Sequence, residues 1–200
     1  LFDLVETLLD FKRSESRALS NMLRHIGVDP TEKVISRYSE INKSRWKLLE
    51  QGLLTRQQVK ESRYEILFAE LGVDYSAAEA TAYYEDQLSQ KGFVFPDTIK
   101  LLEILHGRYR MYIVSNGGSN VQSGRLADSG IGKYFEDIFI SEDAGAEKPS
   151  RDFFDYCFGR RPEIKADETV IIGDSLTSDI QGGINAGIRT IWFNPDGQQA

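Results

Sequence analysis

The chain has 200 residues, 40% of them hydrophobic and 28% charged, with a net charge of −7. That length and apolar content suit one ordinary domain, or one domain carrying an insertion, with a real buried core. The acidic balance argues against binding a nucleic-acid polymer, whose backbone calls for clustered Lys and Arg, but leaves room for a small phosphorylated metabolite held by local cations and backbone N–H groups.

Leu1–Leu4 read as a buried strand, with Asp3 near its end. From about Lys12 to about Gln90 the pattern turns helical. Val34, Tyr38, Ile41 and Leu48 recur at three- and four-residue steps, and Val59, Tyr64, Leu67, Phe68 and Leu71 do much the same. Asp29-Pro30-Thr31 and Asp74-Tyr75-Ser76 supply capping side chains for helix starts, while Gly27, Gly52 and Gly72 stand where helices stop. Four helices and no strand are expected in this stretch.

After Gly92 short apolar runs alternate with helical segments. Strands are expected at Met111–Val114, Ile138–Ile140, Val170–Ile172 and Thr190–Phe193, with helices near 97–106, 119–130, 150–159 and 177–186. Such alternation predicts a parallel sheet covered on both faces, and near-continuous apolar runs fit its central strands. The expected fold is therefore α/β, a Rossmann-like parallel sheet built from residues 1–11 and 93–200, interrupted after its first strand by a helical bundle over 12–92. Cys157 is the single cysteine, so no intramolecular disulfide forms. Together with the absence of an apolar run of membrane-spanning length, this suits a cytoplasmic protein with no membrane partner, as monomer or homodimer.

In open parallel α/β sheets, ligands bind beyond the carboxyl ends of the strands. Collecting the polar residues that follow each apolar run brings Asp3, then Ser115, Asn116 and Gly117, then Ser141, Glu142 and Asp143 with Lys148 a little later, then Asp174 and Asp179 to one edge. Carboxylates, a hydroxyl and an ammonium together suggest phosphoryl transfer. A carboxylate can attack phosphorus, Mg²⁺ takes oxygen ligands, and donors can hold the remaining phosphate oxygens. Each residue alone has a plainer reading: Asp3 as a strand-end cap, Ser115-Asn116-Gly117 as a turn, Lys148 as a solvated lysine, Asp174 and Asp179 as helix caps. In the helical stretch, Trp46 and Tyr38 have faces that can stack on a nucleobase or pack a helix.

Four stretches in order resemble the haloacid dehalogenase (HAD) superfamily of hydrolases: Asp3-Leu4-Val5-Glu6-Thr7, Val114-Ser115-Asn116-Gly117, Lys148-Pro149, and Gly173-Asp174-Ser175 with Asp179. The likeness spans the whole core, and the helical insertion sits where that superfamily places a cap. The wording around these stretches, with Asn42-Lys43-Ser44-Arg45-Trp46 in the insertion, is similar to the pyrimidine 5'-nucleotidase branch. The resemblance implies Asp3 as nucleophile, Ser115 as a phosphate donor, Lys148 as stabiliser, and Mg²⁺ held by Asp3, Asp174, Asp179 and the backbone carbonyl of Val5. It implies substrate contacts from Asn116, Gly117, Trp46 and Asn42.

Val5 departs from the pattern. Phosphatases of this superfamily carry there a second Asp as general acid/base, and Val can neither give nor take a proton. Glu6 is one residue out of phase and, on an extended segment, would point elsewhere. The expectation is Mg²⁺-dependent hydrolysis of a small phosphomonoester, a nucleoside monophosphate, through an aspartyl-phosphate on Asp3, with turnover impaired by Val5. The rivals are a non-catalytic phosphate or nucleotide binder on the same scaffold and a metal-independent dehalogenase-like hydrolase.

Overall fold

The computed structural model describes residues 1–199. It divides into two compact units: Leu1–Phe11 with Gly92–Ala200, and Lys12–Lys91.

The first unit is the α/β part. Its strands are β1 (Tyr112–Ser115), β2 (Asp137–Ile140), β3 (Val170–Gly173) and β4 (Arg189–Trp192). β1 pairs with β2 and β3 with β4, all parallel. The N-terminal segment joins the two pairs: Phe2 bridges Ile113 on one side and Ile172 on the other, both parallel. The spatial order is therefore β2, β1, the N-terminal segment, β3, β4. That segment is extended only briefly. Leu8 and Leu9 both donate backbone hydrogen bonds to Leu4 O at 3.1 and 2.9 Å, so the chain turns back directly beyond the sheet.

Side-chain parity sorts the core onto the two faces, because successive residues of a strand point to opposite sides. Leu1, Tyr112, Val114, Phe139 and Ile171 join Phe153, Phe154 and Cys157 of one helix and Ala186 of another in one cluster. Phe2, Met111 and Ile113 join Leu102, Leu126 and Ile131 in a second. The covering helices are α8 (Arg151–Arg160) and α9 (Gln181–Ala186) for the first cluster, and α5 (Thr98–Leu105) and α6 (Ser119–Ser129) for the second.

The expected single helix over 177–186 differs from what forms. Leu176–Ile180 is a π-helical turn, and α9 starts only at Gln181. Ser175 caps this turn through its side chain, which accepts from Ser178 N. The Asp179 carboxylate reaches back to Ser175 N at 3.0 Å, and the widened turn delivers it there. A short helix, α7 (Ser141–Ala144), also follows β2, in a stretch for which the sequence pattern predicted no helix.

The second unit consists of α1 (Phe11–His25, whose first residue belongs to the α/β unit), α2 (Glu32–Glu50), α3 (Arg56–Leu71) and α4 (Ala77–Ser89). Thr31 and Ser76 cap α2 and α4 through their side chains, and Gly72 ends α3 in the left-handed conformation. Thr55 with Gln58 forms a full capping box for α3. The core of this unit contains a polar centre. Arg63 is buried with its guanidinium 5.8, 5.3 and 4.8 Å from the ring centres of Tyr38, Tyr64 and Tyr84. No helix among the described residues is long and apolar enough to cross a membrane.

Candidate active site

The parallel strands deliver Asp3, Ser115 and Asp174 to one edge of the sheet, as their ends follow Phe2, Val114 and Gly173. Lys148 arrives from the loop after α7 and is 1% exposed. Its ammonium has three donors and uses all of them: Asp3 Oδ1 at 2.7 Å, Asp179 Oδ1 at 2.6 Å and Val114 O at 2.8 Å. One cation thus ties the first strand end, β1 and the π turn together. The Lys148 backbone is fixed in turn by Asn116, whose amide donates to Lys148 O at 2.8 Å and accepts from Lys148 N at 2.9 Å. The side chain of Asn116, expected to contact substrate, is committed to holding the lysine loop.

Asp3, Asp174 and Asp179 each present a carboxylate oxygen within 4.8 Å of the others. Burial holds Asp3 at about 6, with Lys148 pulling it down and Asp179 pushing it up. Burial, then the Asp3 and Asp179 charges, hold Asp174 at about 7. Lys148 is pulled down by burial, but Asp179 and Asp3 outweigh that and keep it above the ordinary range. Three acids, two of them buried and one half-buried, against one ammonium make a cluster rich in hard oxygen donors. Such a donor set fits Mg²⁺, which binds through one or two carboxylates and completes its shell with water and phosphate oxygens.

Two neighbours of the cluster, Thr7 and Gly173, shape it further. The Thr7 hydroxyl lies 3.1 Å from Asp3 Oδ2 and 3.4 Å from Asp174 Oδ1, so its one proton serves either carboxylate. Gly173 has no room for a side chain: an added Cβ would meet Asp179 Cγ at 2.3 Å. Thr7 stands four residues after Asp3 and Gly173 directly before Asp174, and that adjacency to the acids is their signal in the sequence.

Val5 is half-buried and packs against the apolar cluster of Phe2, Leu4 and Leu9. Glu6 does not follow strand alternation, because the segment is not extended there: Glu6 adopts φ +59° and donates from its backbone to Leu9 O at 2.9 Å. Gly117, expected to contact substrate, donates from its backbone N–H to Ser141 Oγ at 3.2 Å. Asn42 and Trp46 lie on α2 in the helical unit. Trp46 is half-buried, whereas Asn42 is buried, donating to Glu15 at 2.7 Å and accepting from Arg63 at 3.1 Å. Tyr38 is fully buried and hydrogen-bonded to Tyr64 at 3.0 Å.

A family model described as haloacid dehalogenase-like hydrolase matches residues 1–193. The chain is 39% identical over 196 residues to pyrimidine 5'-nucleotidase PynA of Streptococcus pneumoniae, covering 98% of this chain and 83% of that protein. It is 30% identical to pyrimidine 5'-nucleotidase YjjG of Escherichia coli, covering 96% and 84%. A crystal structure of the HAD-hydrolase YfnB of Bacillus subtilis bound to magnesium superimposes with a TM-score of 0.94 at 38% identity, covering 100% of this chain and 87% of that one. The L-2-haloacid dehalogenase of Xanthobacter autotrophicus shares the fold, with a TM-score of 0.76 at 16% identity over 98% of this chain and 77% of that one.

Proposed function

The chain belongs to the haloacid dehalogenase-like hydrolases, and from that premise we propose that it hydrolyses a small phosphomonoester, of the class of pyrimidine nucleoside monophosphates. The observation that carries the reading is the buried Lys148 ammonium joining Asp3 to Asp179 inside a three-carboxylate cluster. The two relatives named as pyrimidine 5'-nucleotidases support the substrate class. Asp3, Asp174 and Asp179 would hold Mg²⁺, with the Val5 carbonyl as a further ligand. The ion would offset carboxylate charge against that of the incoming phosphate.

In the first step an Asp3 carboxylate oxygen attacks phosphorus, the ester P–O bond breaks, and the nucleoside leaves as an alkoxide that takes a proton from water. In the second step water attacks the aspartyl-phosphate, releasing inorganic phosphate and restoring Asp3. Lys148 holds Asp3 in place, and Ser115 donates to a phosphate oxygen. No proton donor stands at Val5. General acid–base catalysis contributes about 10²–10⁴-fold, so turnover is slower by that order than with Asp at this position. The reading carries with it a reducing, cytoplasmic setting, which suits a lone cysteine that is buried and unpaired.

Val5 also favours a second reading, a phosphate or nucleotide binder without turnover. Phosphate release from a panel of nucleoside monophosphates, with and without Mg²⁺, separates the two. Release that needs Mg²⁺, disappears in Asp3→Asn and rises in Val5→Asp supports the hydrolase. Mg²⁺-dependent binding with release only in Val5→Asp selects the binder. Release unchanged by a chelator overturns the metal-dependent mechanism and selects a dehalogenase-like one.

A further inference from the structure

Behind Ser115 lies a buried chain of donors and acceptors with a fixed direction. Ser115, Gln122 and Arg125 are 0%, 3% and 1% exposed. Arg125 Nη1 donates to Gln122 Oε1 at 3.2 Å, and Gln122 Nε2 donates to Ser115 Oγ at 3.1 Å. A guanidinium has donors and no acceptor. Only the carbonyl oxygen of Gln122 can therefore face Arg125, which leaves the amide NH₂ facing Ser115. An NH₂ group is in turn only a donor, so Ser115 Oγ must accept from it, and the Ser115 proton is left to point elsewhere.

We infer that Gln122, its amide oriented by Arg125, is a positioning residue that turns the Ser115 hydroxyl proton toward the substrate phosphate. The unprotonated oxygens of a phosphate accept and do not donate, so a serine binds them only when it is presented as a donor. An unoriented hydroxyl would spend part of its time donating to neighbouring oxygens. α6 supplies both residues: Gln122 and Arg125 are three apart and so share one helix face. Gly117 gives the amide its space, since a Cβ there would meet Gln122 Nε2 at 2.4 Å. The Arg125 guanidinium also lies over the Phe11 ring, 5.5 Å from its centre, which steadies the start of the chain of bonds.

This inference rests on the phosphohydrolase reading and deepens it. Its test is binding of inorganic phosphate in the presence of Mg²⁺, by calorimetry, which needs no turnover. Gln122→Glu keeps the size but presents only acceptors, so Ser115 donates to the new carboxylate and is lost to phosphate. Losing a hydrogen bond to a charged ligand should weaken binding about 10- to 100-fold, and Ser115→Ala should lose a comparable amount. The double variant should bind no worse than the weaker single variant, because both changes remove one interaction. Gln122→Met, neutral and of similar size, should weaken binding less than Gln122→Glu. Losses that add in the double variant, or Gln122 variants that bind like the unaltered chain while Ser115→Ala does not, overturn the inference alone. An unaltered chain that binds no phosphate overturns the phosphohydrolase reading and this inference with it.

Discussion

Lys148 is where charge and burial meet most sharply. Its ammonium is enclosed with two carboxylates in contact, and the three groups are tolerable there only together. Removing one partner of a buried ion pair typically costs about 3–5 kcal/mol, because the other charge stays buried. Lys148→Met should therefore lower unfolding free energy by that order near neutral pH, measured by chemical denaturation, and abolish phosphate release. A variant as stable as the unaltered chain would show that the ion pairs do not persist in solution.

The same residues set a pH dependence. Asp3 at about 6 and Asp174 at about 7 lie above their ordinary 3.8, so the metal-free fold holds protons that the unfolded chain releases. Their contribution to stability is fully present below the unfolded value and is lost as pH rises through the folded values. Stability in a chelator should thus fall between about pH 4 and 7. Mg²⁺ takes the deprotonated acids, so the rise in melting temperature on adding Mg²⁺ should grow over the upper part of that range. A magnesium effect constant with pH would separate the metal from these carboxylates.

At the scale of elements, α2 and α3 are joined by a polar link. Asn42 bridges Glu15 and Arg63, and Arg63 lies among three tyrosine rings. The sequence placed Asn42 near a substrate because its stretch resembles the nucleotidase branch, yet its amide is occupied within the helical unit. Asn42→Leu should lower stability by about 1–3 kcal/mol, the cost of leaving buried partners short of a hydrogen bond. Denaturation curves and Michaelis constants measured together decide the matter. Lost stability with an unchanged KM marks a packing role, whereas unchanged stability with a raised KM returns Asn42 to the substrate.

For the whole molecule, the chain divides into two compact units. The α/β unit has its own two apolar clusters. Its chain ends flanking the helical unit meet, with Asp10 N donating to Phe93 O at 2.8 Å. Replacing residues 12–91 with a short Gly-Ser linker should leave an α/β protein that unfolds cooperatively and is still stabilised by Mg²⁺. A molten product would show that the helical unit contributes to the core itself.

The sequence by itself determined the parallel α/β pattern, the four inserted helices, the stretches 29–31 and 74–76 that start two of them, and the residues that gather at the sheet edge. Those features are local: apolar runs, capping side chains and polar residues just past each run. Tertiary structure decided what each side chain does once there. Asn116 turned to the Lys148 backbone, Glu6 left the extended register through a left-handed turn, and the expected helix over 177–186 opened into a π turn that returns Asp179 to Ser175. Gln122 and Arg125 read in sequence as ordinary positions of a helix; their role emerges only when Ser115 lies opposite. Hydrogen-bond direction is a property of pairs brought together by the fold. Periodicity and spacing register where a residue stands, and leave its partner to be fixed by distant parts of the chain.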